Sequence, residues 1–196
     1  AGLGSAPRYA TALAATTARE RLSGGIDARR LGIPEDTPLD LLGHITGLPA
    51  ETTQLPWAGP AVRILEHQAH AKGHSALFIK DGGVLVAGDM LSDVFIPMLD
   101  LRDAADPIED YLAALALFET VAGDVDVVIP GHGSVGGTGE LQERIDRERA
   151  DWQAGLDVLA PRDPRVGPSA RPGWEWVGDV HDRQVEALAQ RSRERP

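Results

Sequence analysis

Cysteine is absent from this sequence. That removes disulfides, thiolate nucleophiles and cysteine-type zinc sites together, and it is compatible with the cytoplasmic location we expect. Positive charge is also scarce: 19 Lys and Arg stand against 30 Asp and Glu, a formal net charge of −11. Binding to nucleic acid depends on neutralising phosphates with Lys and Arg, so we expect no nucleic-acid partner and rank a nuclease reading low. Long apolar runs are missing too. The longest, Leu112 to Phe118, has seven residues against the about 20 that span a bilayer, so no membrane partner is expected. The start has neither a basic segment nor an apolar core, so no signal peptide is read there. No internal repeat or low-complexity tract occurs. What remains is ordinary for a globular chain, with 42% hydrophobic and 25% charged residues. At 196 residues a single domain over 1–196 is the default.

The informative stretch is 67–93. Ser75 to Lys80 and Val84 to Ala87 are short β-rich runs, and Asp81-Gly82-Gly83 between them is a hairpin signal. A hairpin returns its outer ends to one edge of a sheet. His74, before the first strand, and Asp89, after the second, should therefore lie close together. An imidazole and a carboxylate on loops at a strand end suit a divalent metal such as zinc. Val127 to Ile129 reads as a further strand, and Pro130-Gly131-His132-Gly133 again delivers a histidine at its end.

The flanking chain is read more coarsely. Arg8 to Leu13 reads as a short strand or entry segment, and Thr17 to Glu20 fits a capping box opening a helix that stops at Ser23-Gly24-Gly25. The proline-rich 26–60 reads as an extended connection beside the site, and Ala61 to Glu66 as a strand. Met90 to Leu101 reads as irregular or an edge strand. Asp106-Pro107 is an N-cap with proline at the first helical position. Ile108, Tyr111, Leu112, Leu115, Phe118 and Val121 then recur at helical spacing up to Gly123. A second helix is expected from Gly139 to about Leu159 on Leu141, Ile145, Trp152, Leu156 and Leu159. The stretch 161–173 reads as a loop, and 174–195 as a terminal helix with Val177, Val180, Val185 and Leu188 inward.

Gly73-His74-Ser75, Ala87-Gly88-Asp89 and Pro130-Gly131-His132-Gly133, in that order and spacing over about residues 60–135, resemble the later motifs of the metallo-β-lactamase superfamily. The resemblance implies an α/β fold, a metallo-β-lactamase-like αββα sandwich. It implies that His74 binds a first metal, that Asp89 bridges two metals, and that His132 binds the second. The family's first motif, His-x-His-x-Asp-His, does not occur in this sequence. Ala1-Gly2-Leu3-Gly4 looks like the glycine-rich stretch that follows it. The expectation is therefore a chain truncated at its N-terminus, holding the tail of the first half-sandwich and all of the second.

The resemblance implies a metal-dependent hydrolase in which a metal-bound hydroxide attacks an ester, thioester, lactone or amide carbonyl of a small-molecule substrate. Asp89 is its catalytic and bridging residue. Two zinc ions are the expected cofactor, with iron or manganese possible from the same His and Asp donors. The alternative is a catalytically silent fragment or binding domain, because half the ligands are absent; a mononuclear iron oxygenase is a third reading. His67 and His70 form a His-x-x-His-x-x-x-His series with His74, which suggests a self-contained metal site. They are read instead as residues that orient a ligand through a hydrogen bond. Ser92 and Asp93 are read as lining the pocket or as plain surface. His44 and His181 are read as ordinary surface or helix residues, and Trp174 and Trp176 as core packing rather than a ligand platform.

Overall fold

The computed structural model describes residues 7–23, 34, 45–153 and 163–194. Ala1 to Gly4, His44, Leu156 and Leu159 lie outside the described residues. The chain falls into two compact units, Ala1–Thr52 and Thr53–Pro196.

In the first unit a two-residue strand β1 (Tyr9–Ala10) pairs in parallel with β2 (Thr46–Gly47). Helix α1 (Ala12–Ser23) lies between them in sequence. Its start differs from the expected one. Thr11, not Thr17, supplies the cap, its Oγ1 accepting from Ala14 N at 3.1 Å. The alanine-rich 12–15 segment has high helix propensity, so the helix begins six residues sooner and carries Thr17 in its interior. The end at Ser23 agrees with the expected stop.

The second unit is built on a four-stranded sheet in the order β3-β4-β5-β6: β3 (Arg63–His67), β4 (His74–Ile79), β5 (Val84–Gly88) and β6 (Val127–Pro130). The β3–β4 and β4–β5 pairs are antiparallel and β5–β6 is parallel. The β4–β5 pair is the expected hairpin, turning through Lys80 to Gly83. In β3 both Ile64 and Leu65 are buried although their side chains point to opposite faces, so the sheet is covered on both.

The parallel β5–β6 pair needs a crossover, and α2 (Pro107–Glu119) supplies it. Asp106 caps α2 by accepting from Glu109 N at 3.2 Å, and Pro107 occupies the first turn, as its sequence dictates. The helix closes at Thr120 and a short 3₁₀ turn (Ala122–Asp124) completes the run toward Gly123. Tyr111, Ala114, Leu115 and Phe118 of α2 join Leu65, Ala76, Phe78, Leu85 and Val128 of the sheet in the main core.

Helix α3 (Glu140–Gln153) adds Leu141, Ile145 and Trp152 to the same core. Helix α4 (Trp176–Glu194) follows the loop through residues 163–175. Its inward face is Val177, His181, Gln184 and Leu188; Val180 and Val185 are only half-buried. His181, read as an ordinary helix or surface residue, is thus a buried one. Gln184 accepts from Leu99 N at 2.7 Å and donates to Pro97 O at 3.0 Å, satisfying backbone that no strand pairs. That backbone belongs to 90–101, which is irregular yet buried at Met90, Leu91, Val94, Phe95, Ile96 and Leu99. No helix among the described residues is long and apolar enough to cross a membrane.

Candidate metal centre

The ends of β4, β5 and β6 meet because two glycines let them. Gly88 takes a φ of 59°, which side chains disfavour. A Cβ there would stand 2.5 Å from Cε1 and 2.6 Å from Nε2 of His74. At Gly131 a Cβ would press into Asp89 Oδ1 and lie 3.2 Å from Gly88 O, which accepts from Gly131 N at 2.6 Å. Bare backbone at these two points is what admits the imidazole and the carboxylate.

His74 and Asp89 are adjacent, as the hairpin argument requires: Asp89 N lies 3.3 Å from His74 Nε2. The Asp89 carboxylate sits between two further imidazoles. Its Oδ2 is 3.3 Å from His70 Nε2 and its Oδ1 is 3.5 Å from His132 Nε2. His70 Nδ1 is anchored 3.1 Å from Met98 O. Behind them, His67 lies across from His74 in the β3–β4 register, with its Nε2 3.1 Å from His74 Nδ1. Five of the residues singled out in the sequence, His67, His70, His74, Asp89 and His132, are therefore gathered in one place. His70 reaches the carboxylate directly, whereas His67 does not, meeting His74, the Ala69 amide and the Phe118 ring instead.

Burial, with the neighbouring His74 and His70 imidazoles, lowers the pKa of His67 to about 3. Burial and His70 lower that of His74 to about 4, against the opposing pull of Asp89. Both rings are neutral at pH 7 and keep a lone pair, which is the form that binds metal.

Ser92 and Asp93 act as ties between loops. Ser92 is buried; its Oγ donates to His132 O at 2.8 Å and accepts from Phe95 N at 3.0 Å. Asp93 accepts from Ser134 N at 2.7 Å and from Arg171 Nη2 at 2.8 Å. Burial works to raise its pKa, but the Ser134 bonds and the Arg171 guanidinium hold it below the usual carboxylate value.

Two buried arginines fix the same loops, and sequence reasoning passed over both. Arg144 donates to Leu91 O at 2.9 Å and to Ser134 O at 3.1 Å, bridging the segments after β5 and β6. Leu91 has a φ of 61°, a backbone state that disfavours a side chain by about 1–3 kcal/mol. Its buried side chain and the Arg144 bond hold it there. Arg165 donates to Ser92 O and Phe95 O, both at 3.2 Å, and is neutralised by Asp163, Asp151 and Glu148. A signal for the α3 members exists: Arg144 and Glu148 fall on the Leu141, Ile145, Trp152 stripe, where charge is out of place.

Trp174 is half-buried and packs against a small second core of Val94, Phe95, Ile96, Val166 and Val177, as its sequence reading expects, whereas Trp176 is not core. Trp176 is 46% exposed. Its ring stacks on Trp174 with centroids 5.9 Å apart. Phe95 stacks on His132 at 5.2 Å and meets Trp174 and Trp176 edge-on at 5.9 and 5.4 Å. Trp176 opens α4 after an exposed loop and lies at the site's rim, while Val177 beside it in the same turn is buried.

The donors have the chemistry of a divalent-metal site, imidazole nitrogen and carboxylate oxygen. Their arrangement is a different matter. Among the described residues no three His, Asp or Glu side chains converge so as to hold a metal ion. These residues alone do not fit a complete metal centre.

The sequence model of the metallo-beta-lactamase superfamily matches residues 7–132, reaching well upstream of the stretch that carries the motifs. No curated protein matches the chain. Among solved structures it is similar to the metallo-beta-lactamase family protein TTHA1429 from Thermus thermophilus. Identity there is 23% over 96% of this chain and 67% of that one, with a TM-score of 0.60. It is also similar to a beta-lactamase domain protein from Burkholderia ambifaria, at 23% identity over 93% of this chain and 57% of that one, TM-score 0.59. This chain therefore spans only about three-fifths of the length of such structures, and at this identity the likeness speaks for the fold. With a family match across more than half of its residues and a mixed α/β fold shared with those structures, the chain belongs to the metallo-β-lactamase superfamily.

Proposed function

We propose that this chain supplies part of the metal centre of a metal-dependent hydrolase acting on an ester, thioester, lactone or amide carbonyl. One observation carries the reading. The two oxygens of Asp89 face imidazole nitrogens from separate segments, at 3.3 Å (His70) and 3.5 Å (His132). His74, Asp89 and His132 are the residues that would hold metal, and by themselves they do not complete a centre. Zinc is the first choice, and iron or manganese suit the same donors. When bound, a divalent ion would supply Lewis acidity toward the carbonyl and lower the pKa of water toward about 7.

The chain's own residues supply placement. His67 positions the His74 ring through Nδ1. Ser92 fixes the peptide of His132. Arg144 and Arg165 lock the loop between Asp89 and Phe95. No side chain has to act as nucleophile.

Isothermal titration of the 196-residue protein with zinc, and separately with manganese, tests this. We expect weak uptake that falls more than about tenfold in Asp89→Asn and in His132→Ala, since each removes a donor or its charge. Uptake unchanged in Asp89→Asn would overturn the assignment. Absence of uptake in the parent protein would favour the silent binding domain, in keeping with the incomplete donor set.

A further inference from the structure

Trp152 has one polar atom that packing does not answer. The residue is only 6% exposed and sits in the main core beside Tyr111. Its Nε1 is buried and meets no hydrogen-bond acceptor among the described residues. A buried N–H left in that state is costly, and native structures seldom keep one. The same residue forms a wall of a small cavity. Asp151 and Trp152 of α3, Asp163 and Val166 of the loop before α4, Ile96, and His181 of α4 line it.

Size limits what this cavity takes. It admits the centre of a water-sized sphere over about 10 Å³, which is about the least that holds one water. Chemistry narrows the choice further. An occupant has to accept from an indole N–H while facing the carboxyl groups of Asp151 and Asp163. A cation cannot accept that bond, and among the described residues no three His, Asp or Glu side chains converge on a metal ion. Chloride can accept it, but the acidic pair repels an anion. Water accepts and donates at once, and it is small enough.

The acidic pair has acceptor capacity to spare. Asp151 accepts from Arg165 Nη2 through Oδ2 at 2.5 Å and shares a hydrogen bond with Asp163. A carboxylate has about four lone-pair sites, so Asp151 is not filled. Asp163 is used more fully, both of its oxygens accepting from Arg165. Burial lowers the pKa of His181 against the pull of Asp182 and Asp163, so its neutral ring adds one donor and one acceptor to the lining.

We infer that this cavity is a binding site for one water molecule, which accepts from Trp152 Nε1 and donates to the Asp151 and Asp163 side chains. The water joins the end of α3 to the segment that carries Arg165, whose guanidinium holds Ser92 O and Phe95 O. It thereby fastens the support of the loop that follows Asp89. No metal takes part, so the site stands or falls independently of the hydrolase reading.

Two measurements on the full chain test this. Relaxation dispersion of water ¹⁷O counts long-lived internal waters and is blind to exchanging protein protons. Val166→Ile adds one methylene to the cavity wall, enough to displace a single water, and the parent should hold about one more internal water per chain than this variant. In a ROESY spectrum the Trp152 indole proton, identified by its loss in Trp152→Phe, should show a cross-peak to water opposite in sign to the diagonal. Val166→Ile should abolish that cross-peak. Equal ¹⁷O amplitudes in parent and variant overturn the site, and so does absence of the cross-peak in the parent. Thermal melts show whether Val166→Ile is folded. Val166→Leu replaces it if it is not, and if neither folds the parent's cross-peak decides.

Discussion

His67 and His74 carry too many protons for the contacts around them. Ala69 N lies 3.3 Å from His67 Nδ1, His67 Nε2 lies 3.1 Å from His74 Nδ1, and Asp89 N lies 3.3 Å from His74 Nε2. Both ends of this series are amide donors, so three hydrogen bonds would need a single ring proton, placed between the rings. Two neutral imidazoles bring two. At most two of the contacts can be hydrogen bonds at once. If Nε2 of His74 is to offer its lone pair to a metal, its proton belongs on Nδ1, donated to His67 Nε2; the Ala69 contact is then given up, and a metal on Nε2 would displace the Asp89 amide as well. His67→Leu removes that acceptor. We expect zinc affinity to fall by about 10–100-fold, while His67→Gln, whose amide oxygen can still accept, retains most of it. Calorimetry checks this, and equal affinity in the leucine variant would show that His67 is only packing. At this scale the sequence was informative where chemistry repeats at strand ends: His74, Asp89 and His132 stand out there. It could not show that His70 faces the Asp89 carboxylate, because that contact depends on the course of the loop between β3 and β4.

The elements behind the site show where periodicity misleads. Helix α3 has an apolar stripe, yet its stripe positions include Arg144 and Glu148, both buried. Tyr111 of α2 donates to Glu148 Oε2 at 2.7 Å, and Arg165 stands 3.6 Å from Glu148 Oε1. A sequence reading scores charged residues as outward, and it is the distant Arg165, Tyr111 and Leu91 backbone that make burial of Glu148 tolerable. The same applies to His181 and Gln184 on α4, whose buried face serves the strandless segment 90–101. Conversely, the hairpin, the Asp106 cap and the β6 strand were legible, because each is decided by neighbours in sequence.

Burial of Glu148 has a consequence for stability. Against the pull of Arg165 and the Tyr111 bond, it raises the pKa from 4.5 to about 7. In that window the folded state holds a proton that the unfolded state has released. The resulting stability is full below about 4.5 and is lost as the pH rises through about 7. Asp151, raised to about 6, runs the same way; His67 and His74, both lowered, run oppositely. Glu148→Gln deletes only its own share. Its melting temperature relative to the parent should therefore rise between about pH 5 and about pH 7.5. A constant difference across that range would mean that Glu148 titrates normally.

For the molecule as a whole, the excess of acidic residues bears on the metal uptake proposed. A net charge of −11 concentrates small cations near the surface and opposes polyanions. Uptake of a divalent ion at Asp89 would draw on that field as well as on the local donors. Raising sodium chloride from about 0.05 to about 1 M shrinks the screening length to about 3 Å. Zinc affinity should then fall severalfold, and isothermal titration at the two salt levels checks it. Melting curves at the same two concentrations show whether salt acts on the fold itself. An affinity that does not change with salt would mean that the local donors alone hold the ion.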